Sequence, residues 1–543
     1  MEIVNPGDVV TASFHHRRRL KSCLAGVIAT TLASWVCAQS YLSAVGVVEI
    51  NPGPSSSFPT NLTTLGNTLF FQATDGINGF ELWKYDGQTA SLVSNINSTI
   101  SADSNPRELA AINNVLYFQA TDGINGYEPW KYDGITATLI SNINATSDSF
   151  PQLFTPFNNA VYFRANDGVH GYELWRYDGA NATRVTDINP GSGSSFPAYL
   201  TVFNGALYFQ ATDGNNNYEL WKYDGTNASL VADINPGGNK SSFPQYLTVF
   251  SNALYFAAND GSNGFELWKS TGTNATLAAN IRPGNSQGSD PHNLTVFGNA
   301  LYFSATDGIS GYELWKYDGT STNATRVTDI NPGAADSFPS WLTVFNNALY
   351  FSATNATYGW ELWRYDGSNT SLVADINPGS ASSFPSWLTV FNGALYFSAA
   401  DGTHGNQLWR YDGTNAALVA NANAANTNFF PKFLTPLGNQ LCFQANGGVA
   451  DFELGRLKFT PFTVNAITTT TNNDVSITWT TVGGQTNQVE ASNGDASGNY
   501  TNSFLPLGPS LIIPGTDETI TNLLDPGGAT NLPARFYLIH GQL

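Results

Sequence analysis

Cysteine, methionine and positive charge are scarce in this sequence, and each scarcity excludes something. The 543 residues hold three cysteines, one methionine, and 22 lysines and arginines against 41 aspartates and glutamates, for a formal charge of −19 at pH 7. A surface this acidic repels phosphate backbones and anionic headgroups, which argues against nucleic acid and anionic membranes as partners. Long apolar runs are missing except for one of about 15 residues from Cys23 to Cys37, shorter than the ~20 that cross a bilayer. Also missing are a Gly-rich phosphate loop, a Gly-x-Ser-x-Gly elbow and a His-Glu-x-x-His pair.

Arg17, Arg18, Arg19 and Lys21 precede the one apolar run, and Val36-Cys37-Ala38 closes it with small residues. This is the pattern of an export signal over residues 1–38, with a single anchor helix as the alternative. Loss of the signal would remove four basic and two acidic residues and take the charge from −19 to −21. It would also remove Cys23 and Cys37, leaving Cys442 with no disulfide partner. In the apolar run Leu441-Cys442-Phe443 that thiol reads as a small buried hydrophobe rather than a nucleophile.

What the chain has in quantity is a repeat. Pro59, Pro106, Pro151, Pro197, Pro244, Pro291, Pro339, Pro385 and Pro431 recur at steps of 45 to 48 residues, and Trp83 through Trp409 keep the same step. A period in this range means a solenoid, propeller or array. Within the unit from Phe196 to Gly237, four short β-patterned runs are expected at 200–203, 206–212, 218–223 and 228–234. Asn204-Gly205, Asp224-Gly225 and Asn235-Pro236-Gly237 supply the turn chemistry around them. Four strands in about 46 residues is the size of a propeller blade.

The stretch Glu219-Leu-Trp-Lys-Tyr-Asp-Gly-Thr226 resembles the signature of the ELWxxDGT repeat proteins, bacterial secreted proteins sometimes labelled hyalin-like. The resemblance covers roughly residues 45 to 457, with departures at Pro129, Ser270-Thr271-Gly272, Gln407 and Glu453-Leu-Gly455. It implies a surface or secreted protein and no established chemistry.

Residues 44–51 read as a fourth strand arriving before any first strand, whereas the last unit, 433–457, has only a weak fourth. The expectation is therefore an all-β chain: a nine-bladed β-propeller over 44–457, closed by its N-terminal strand, with an open curved array as the alternative. Beyond residue 462 the period stops, and candidate strands at 464–470, 475–481, 488–492, 511–514, 519–524 and 535–540 predict a small β-sandwich to residue 543. The stretch Val475 to Gly484 resembles fibronectin type III-like modules, which implies an accessory module.

Two sets of candidate site residues emerge. The first consists of Asp-Gly-x-x-Gly-x-Glu loops gathered on one face, with Asp75 and Glu81, Asp122 and Glu128, Asp167 and Glu173, Asp213 and Glu219, and Asp307 and Glu313. Carboxylates beside turn carbonyls suit Ca²⁺. The competing reading has Asp capping its own turn while Glu bonds neighbouring backbone. His170 and His404 share one loop position in blades too distant for a common zinc site.

The second set lies two residues after the repeat proline, where Tyr199, Tyr246, Trp341, Trp387 and Phe433 replace Asn61, Glu108, Leu153 and Asn293 of the other units. Such aromatics either line the channel rim or fill the gaps between blades. Together these features suggest a secreted or cell-surface non-enzymatic adhesion protein that binds an extracellular polysaccharide or protein ligand. A polysaccharide-active enzyme and a structural surface-layer protein are the alternatives. The export reading predicts that protein recovered outside the cytoplasm begins near Gln39 on N-terminal sequencing; retention of Met1 overturns it.

Overall fold

The structure is a computed structural model. Within 40–461 it describes all residues except 216, 238–239, 285, 322, 420–427 and 447–451, and outside that span it describes the strands named below and short adjoining turns. Two compact units result, one of residues 47–456 and one combining 1–46 with 457–543.

The larger unit is a β-propeller of nine four-stranded blades in a ring, and no helix occurs among the described residues. Blades 1 to 9 are numbered by their innermost strands: Thr60–Leu65, Arg107–Ile112, Gln152–Phe157, Ala198–Phe203, Gln245–Phe250, His292–Phe297, Ser340–Phe345, Ser386–Phe391 and Lys432–Leu437. In blade 4 the strands run Ala198–Phe203, Ala206–Thr212, Tyr218–Tyr223 and Ala228–Ala232, each antiparallel to the one before. The expected runs stand, with the first starting two residues earlier and the last ending two earlier. Asn204 and Gly205 have φ of 46° and 73°, the left-handed pair of the tight hairpin turn that this dipeptide favours.

Alternation along the second strand explains how blades adhere. Leu207 and Phe209 pack toward blade 3 against Phe157 and Tyr162, while Tyr208 packs the other way against Leu254 and Phe256 of blade 5. A strand buried on both faces reads as a nearly continuous apolar run, and Ala-Leu-Tyr-Phe-Gln-Ala is one. Cys442 belongs to the same kind of strand in blade 9, fully buried, and burial pushes its thiol up to about 12.

Ring closure is made by the chain's own N-terminal strand. Ser40–Val48 forms the outer strand of blade 9, beside Phe452–Pro461. Ile50 N–H and Ser57 N–H both donate to the buried Glu453 carboxylate at 2.9 Å. Across the seam between blades 9 and 1, Arg456 Nη1 donates to Tyr85 Oη at 2.7 Å, and Gln444 Nε2 donates to Pro59 O at 3.0 Å. Every blade around the ring is thereby packed against a neighbour on both faces, and the open array is excluded.

The second unit holds two sheets. One contains Thr463–Thr469, Val475–Val482 and Glu518–Asp525. The other runs Val10–Thr11, Cys23–Ile28, Leu32–Ala38, Ala534–Gln542, Thr486–Gly494 and Leu505–Pro506, with Leu511–Ile512 also beside Thr486–Gly494. Val475, Ile477 and Trp479 of the first sheet pack on Val489, Ala491 and Tyr537 of the second, the core expected of a sandwich. Of the expected export segment, Arg17, Arg18, Arg19 and Lys21 lie outside the described residues; Cys23–Ile28 and Leu32–Ala38 form an antiparallel hairpin in the uncleaved chain. A cut after Ala38 leaves the closing strand Ser40–Val48 intact.

Deleting residues 40–51 exposes the edge of blade 9 and removes Ile50, one of the partners of Glu453. The melting temperature is expected to fall by at least about 5 °C. An unchanged melt in differential scanning calorimetry overturns the assignment of this strand as the closure.

Candidate functional site at the channel mouth

Each innermost strand carries one irregularity, and it creates the candidate site. In blade 4 the pairing jumps from Ala198↔Gln210 to Thr201↔Tyr208, so that Tyr199 and Leu200 face a single partner position. This is a β-bulge, which bends a strand and re-aims a side chain. Its first residue is left-handed in all nine blades, with φ between 56° and 65° at Asn61, Glu108, Leu153, Tyr199, Tyr246, Asn293, Trp341, Trp387 and Phe433. Bulky residues there are strained, and such strain persists only where the surroundings enforce it. A threonine two residues on provides that enforcement. Thr201 Oγ1 donates to Tyr199 O at 3.0 Å, Thr343 to Trp341 O at 2.9 Å and Thr435 to Phe433 O at 2.8 Å. The same bond recurs in the other blades except blade 2, where Ala110 stands.

The five aromatics therefore do not fill the gaps between blades. Tyr199, Tyr246 and Trp341 keep 38%, 39% and 42% of their surface exposed. They gather along the rim, with ring centroids 6.0 Å apart for Tyr199 and Tyr246, 5.0 Å for Trp341 and Trp387, and 4.7 Å for Trp387 and Phe433. Two recesses open beside these arcs. One, of about 420 Å³, is lined by Leu153, Tyr199, Tyr246 and Asn293 with Phe154 and the leucines and threonines beside them. The other, of about 340 Å³, is lined by Asn61, Glu108, Trp387 and Phe433 with theirs.

A second aromatic belt, which the sequence reading did not single out, surrounds the first. The residue before each repeat proline is also left-handed, at 44° to 51°, and is Phe in seven blades: Phe58, Phe150, Phe196, Phe243, Phe338, Phe384 and Phe430. Most of these rings stack on the residue that opens a third strand, as Phe243 does on Tyr218 at 5.3 Å and Phe338 on Tyr312 at 5.2 Å. Their recurrence in seven of the nine units was a signal in plain view, since a repeated exposed Phe needs an explanation that a repeated buried one does not. Two blades interrupt the belt with polar groups. Blade 2 has Asn105, bonded to Tyr127 Oη at 3.2 Å, and blade 6 has Asp290, which accepts from Tyr312 Oη at 3.2 Å while His292 leans on the same tyrosine.

The acidic loops separate into two structural roles. Asp75 Oδ1 accepts from Ile77 and Asn78 N–H at 2.9 and 2.8 Å, and Asp122, Asp167 and Asp307 do the same in their blades, with Asp213 accepting from Asn215 N–H at 3.1 Å. His170 and His404 rest on Asp167 and Asp401 of their own turns. The glutamates turn inward instead. Glu81 accepts from Ile96 N–H at 2.8 Å and from Ser104 Oγ at 2.7 Å, and Ser104 lies in the segment leading to blade 2. Glu128, Glu173, Glu219 and Glu313 are likewise buried on their blade's last strand and the following linker. The Asp and Glu of one loop thus serve different partners, and no group of three His, Cys, Asp or Glu suited to a metal occurs among the described residues.

No protein-family model and no curated protein matches this sequence. Solved structures do resemble it. A puromycin hydrolase is 12% identical, with a TM-score of 0.34 over 67% of this chain and 61% of that one. A Mycobacterium tuberculosis puromycin-hydrolyzing peptidase is 10% identical, with a TM-score of 0.36 over 67% and 61%. A chain from work on two prolyl endopeptidases is 10% identical, with a TM-score of 0.37 over 64% and 54%. The chain spans about three fifths of the length of these proteins. They are peptidases, so the expectation of a non-enzymatic, hyalin-like adhesion protein binding carbohydrate is corrected. At these identities the likeness is one of fold, and it assigns no peptidase activity here.

Burial pushes Glu81, Glu128, Glu313 and Glu361 up to about 7, against the opposing pull of their serine and backbone hydrogen bonds. Below pH 4.5 both folded and unfolded chains hold these protons; between 4.5 and 7 only the folded chain does. The stability tied to this protonation is complete below pH 4.5 and is lost as pH rises through about 7. Melting temperature is therefore expected to fall by several degrees from pH 5 to pH 8, less steeply in a variant with these four glutamates changed to Gln. Equal slopes for the two proteins overturn the assignment.

Proposed function

We propose that the channel mouth is a binding site for an extended polypeptide segment. The observation that carries this reading is the set of five aromatics, three exposed and two half-buried, held in strained, left-handed backbone around one opening. Flat, pre-positioned rings lose little entropy on contact and offer large apolar faces to proline and aromatic side chains. Each innermost strand pairs on one side only, so its other edge presents backbone groups to a peptide's own amides. Recesses of about 420 and 340 Å³ lie at the low end for small-molecule pockets and suit one or two side chains each. Both open on the same channel, which an extended chain can span. Bacterial export by the 1–38 segment and the ELWxxDGT resemblance are carried as parts of the same proposal.

The test is a screen of labelled, unstructured peptides rich in proline and aromatic residues, read by fluorescence anisotropy. Binding is expected for wild type and at least tenfold weaker for a Trp341→Ala, Trp387→Ala double variant, because rim aromatics dominate such contacts by about 1.4 kcal/mol or more. Melting temperature should fall by no more than a few degrees, since Trp341 is exposed and Trp387 is only half-buried, outside the cores between blades. Failure of every peptide to bind, or equal affinity for both proteins, overturns the reading.

A further inference from the structure

We propose that the recess formed by blades 8, 9, 1 and 2 seats a cationic side chain, so that the polypeptide taken by the channel is one that carries lysine or arginine. This rests on the reading of the channel as a peptide site and names its ligand class.

The nine rim positions hold five aromatics, one leucine, two asparagines and a single charged residue, Glu108. That carboxylate lines the same recess as Trp387 and Phe433. The two rings meet at 4.7 Å with their planes 55° apart, forming a corner with two π faces. A carboxylate lining the same recess as such a corner, across it on the blade 2 side, offers a cationic chain two kinds of contact, ion pairing and attraction to the negative ring faces. Lysine and arginine also bring an aliphatic stem, for which Leu62, Leu109 and Leu434 provide apolar walls in the recess.

Glu108 is exposed, and its one hydrogen bond among the described residues is a long one, from Leu153 N–H to Oε2 at 3.4 Å. No ion pair among the described residues includes it. Arg164 and Arg107 are the cations near it in space or sequence, and Lys432 holds in blade 9 the position that Arg107 holds in blade 2. Arg164 feels its field, but its guanidinium bonds to Pro197 O and Gln152 and lies over the Tyr172 ring. Arg107 and Lys432 stand one residue before the rim positions of blades 2 and 9, paired across to Gln119 and Gln444, and neither lines the recess. The negative charge at the rim is thus left for a ligand, and the chain's overall −19 draws cationic peptides toward it.

The other recess provides an internal contrast. It has the same architecture, with Tyr199 and Tyr246 as its aromatic arc, but its polar end is the neutral Asn293. Only one of the two recesses is therefore built for charge.

The experiment compares pairs of peptides identical except for lysine or norleucine at one position, against the full chain and its Glu108→Gln variant, by calorimetry at low salt. Wild type is expected to favour the lysine peptide about tenfold, the scale of one partly desolvated cation–π contact with its ion pair. In Glu108→Gln the ratio should fall severalfold, to what the ring faces alone supply, and in Glu108→Asp it should be largely kept. Circular dichroism and melting of the variants confirm that they are folded. If peptides bind with no lysine preference, or the preference is as large in Glu108→Gln as in wild type, the proposal is overturned while the channel reading stands. If neither peptide binds either protein, the channel reading itself fails, and this proposal with it.

Discussion

A buried glutamate in the third strand of eight of the nine blades is the constraint on which the ring depends. In eight blades it accepts hydrogen bonds from the end of its own blade, and from the serine that opens the passage to the next. Because that serine sits 21 to 24 residues downstream where the chain runs forward, the bond fixes the angle at which one sheet hands over to the next. At the seam the same glutamate, Glu453, reaches back to Ser57, 396 residues away in sequence, and turns a row of sheets into a ring. Removing one partner of such a buried group leaves desolvated polar atoms behind, which costs far more than a surface contact. Blade 8 is the exception. Gln407 takes the place of the glutamate and its Nε2 donates to His404 O at 2.7 Å.

Rigid blade-to-blade geometry is what permits strain at the channel. Eighteen left-handed positions, two per blade, hold bulky or polar residues where glycine would be more comfortable. Each is bracketed by a repeat proline, the threonine bond beyond it or the backbone bonds of the preceding serine, such as Ser104 N–H to Phe80 O at 3.0 Å. Enforcement of this kind turns side chains away from the cores between blades and into the opening. A rim built from strained bulges keeps its aromatic faces in place before a ligand arrives, which reduces the entropy lost on binding. The two blades that interrupt the outer aromatic belt, blades 2 and 6, also carry Glu108 and Asn293, the polar ends of the two recesses. Departures from the repeat are concentrated where the ring is open.

The amino-acid sequence by itself determined the blades, their number and their closure. Strand length, alternation and the Asn-Gly and Asp-Gly turns are local properties, so blade 4 could be read almost to the residue. Even the long-range pairing of Ser40–Val48 with Phe452–Pro461 was legible, because each end lacked what the other had in excess. Tertiary structure alone decided the roles of the side chains. Nothing in Asp-Gly-x-x-Gly-x-Glu tells that the aspartate stays in its own turn while the glutamate crosses to a serine in the next linker, since that distance exists only once the blades are stacked. Nor could spacing choose between packing and exposure for Tyr199 or Trp341. That choice followed from a bulge, whose extra residue shifts every later side chain of the strand to the opposite face, and from the ring closure that left an open channel for the displaced side chains to enter.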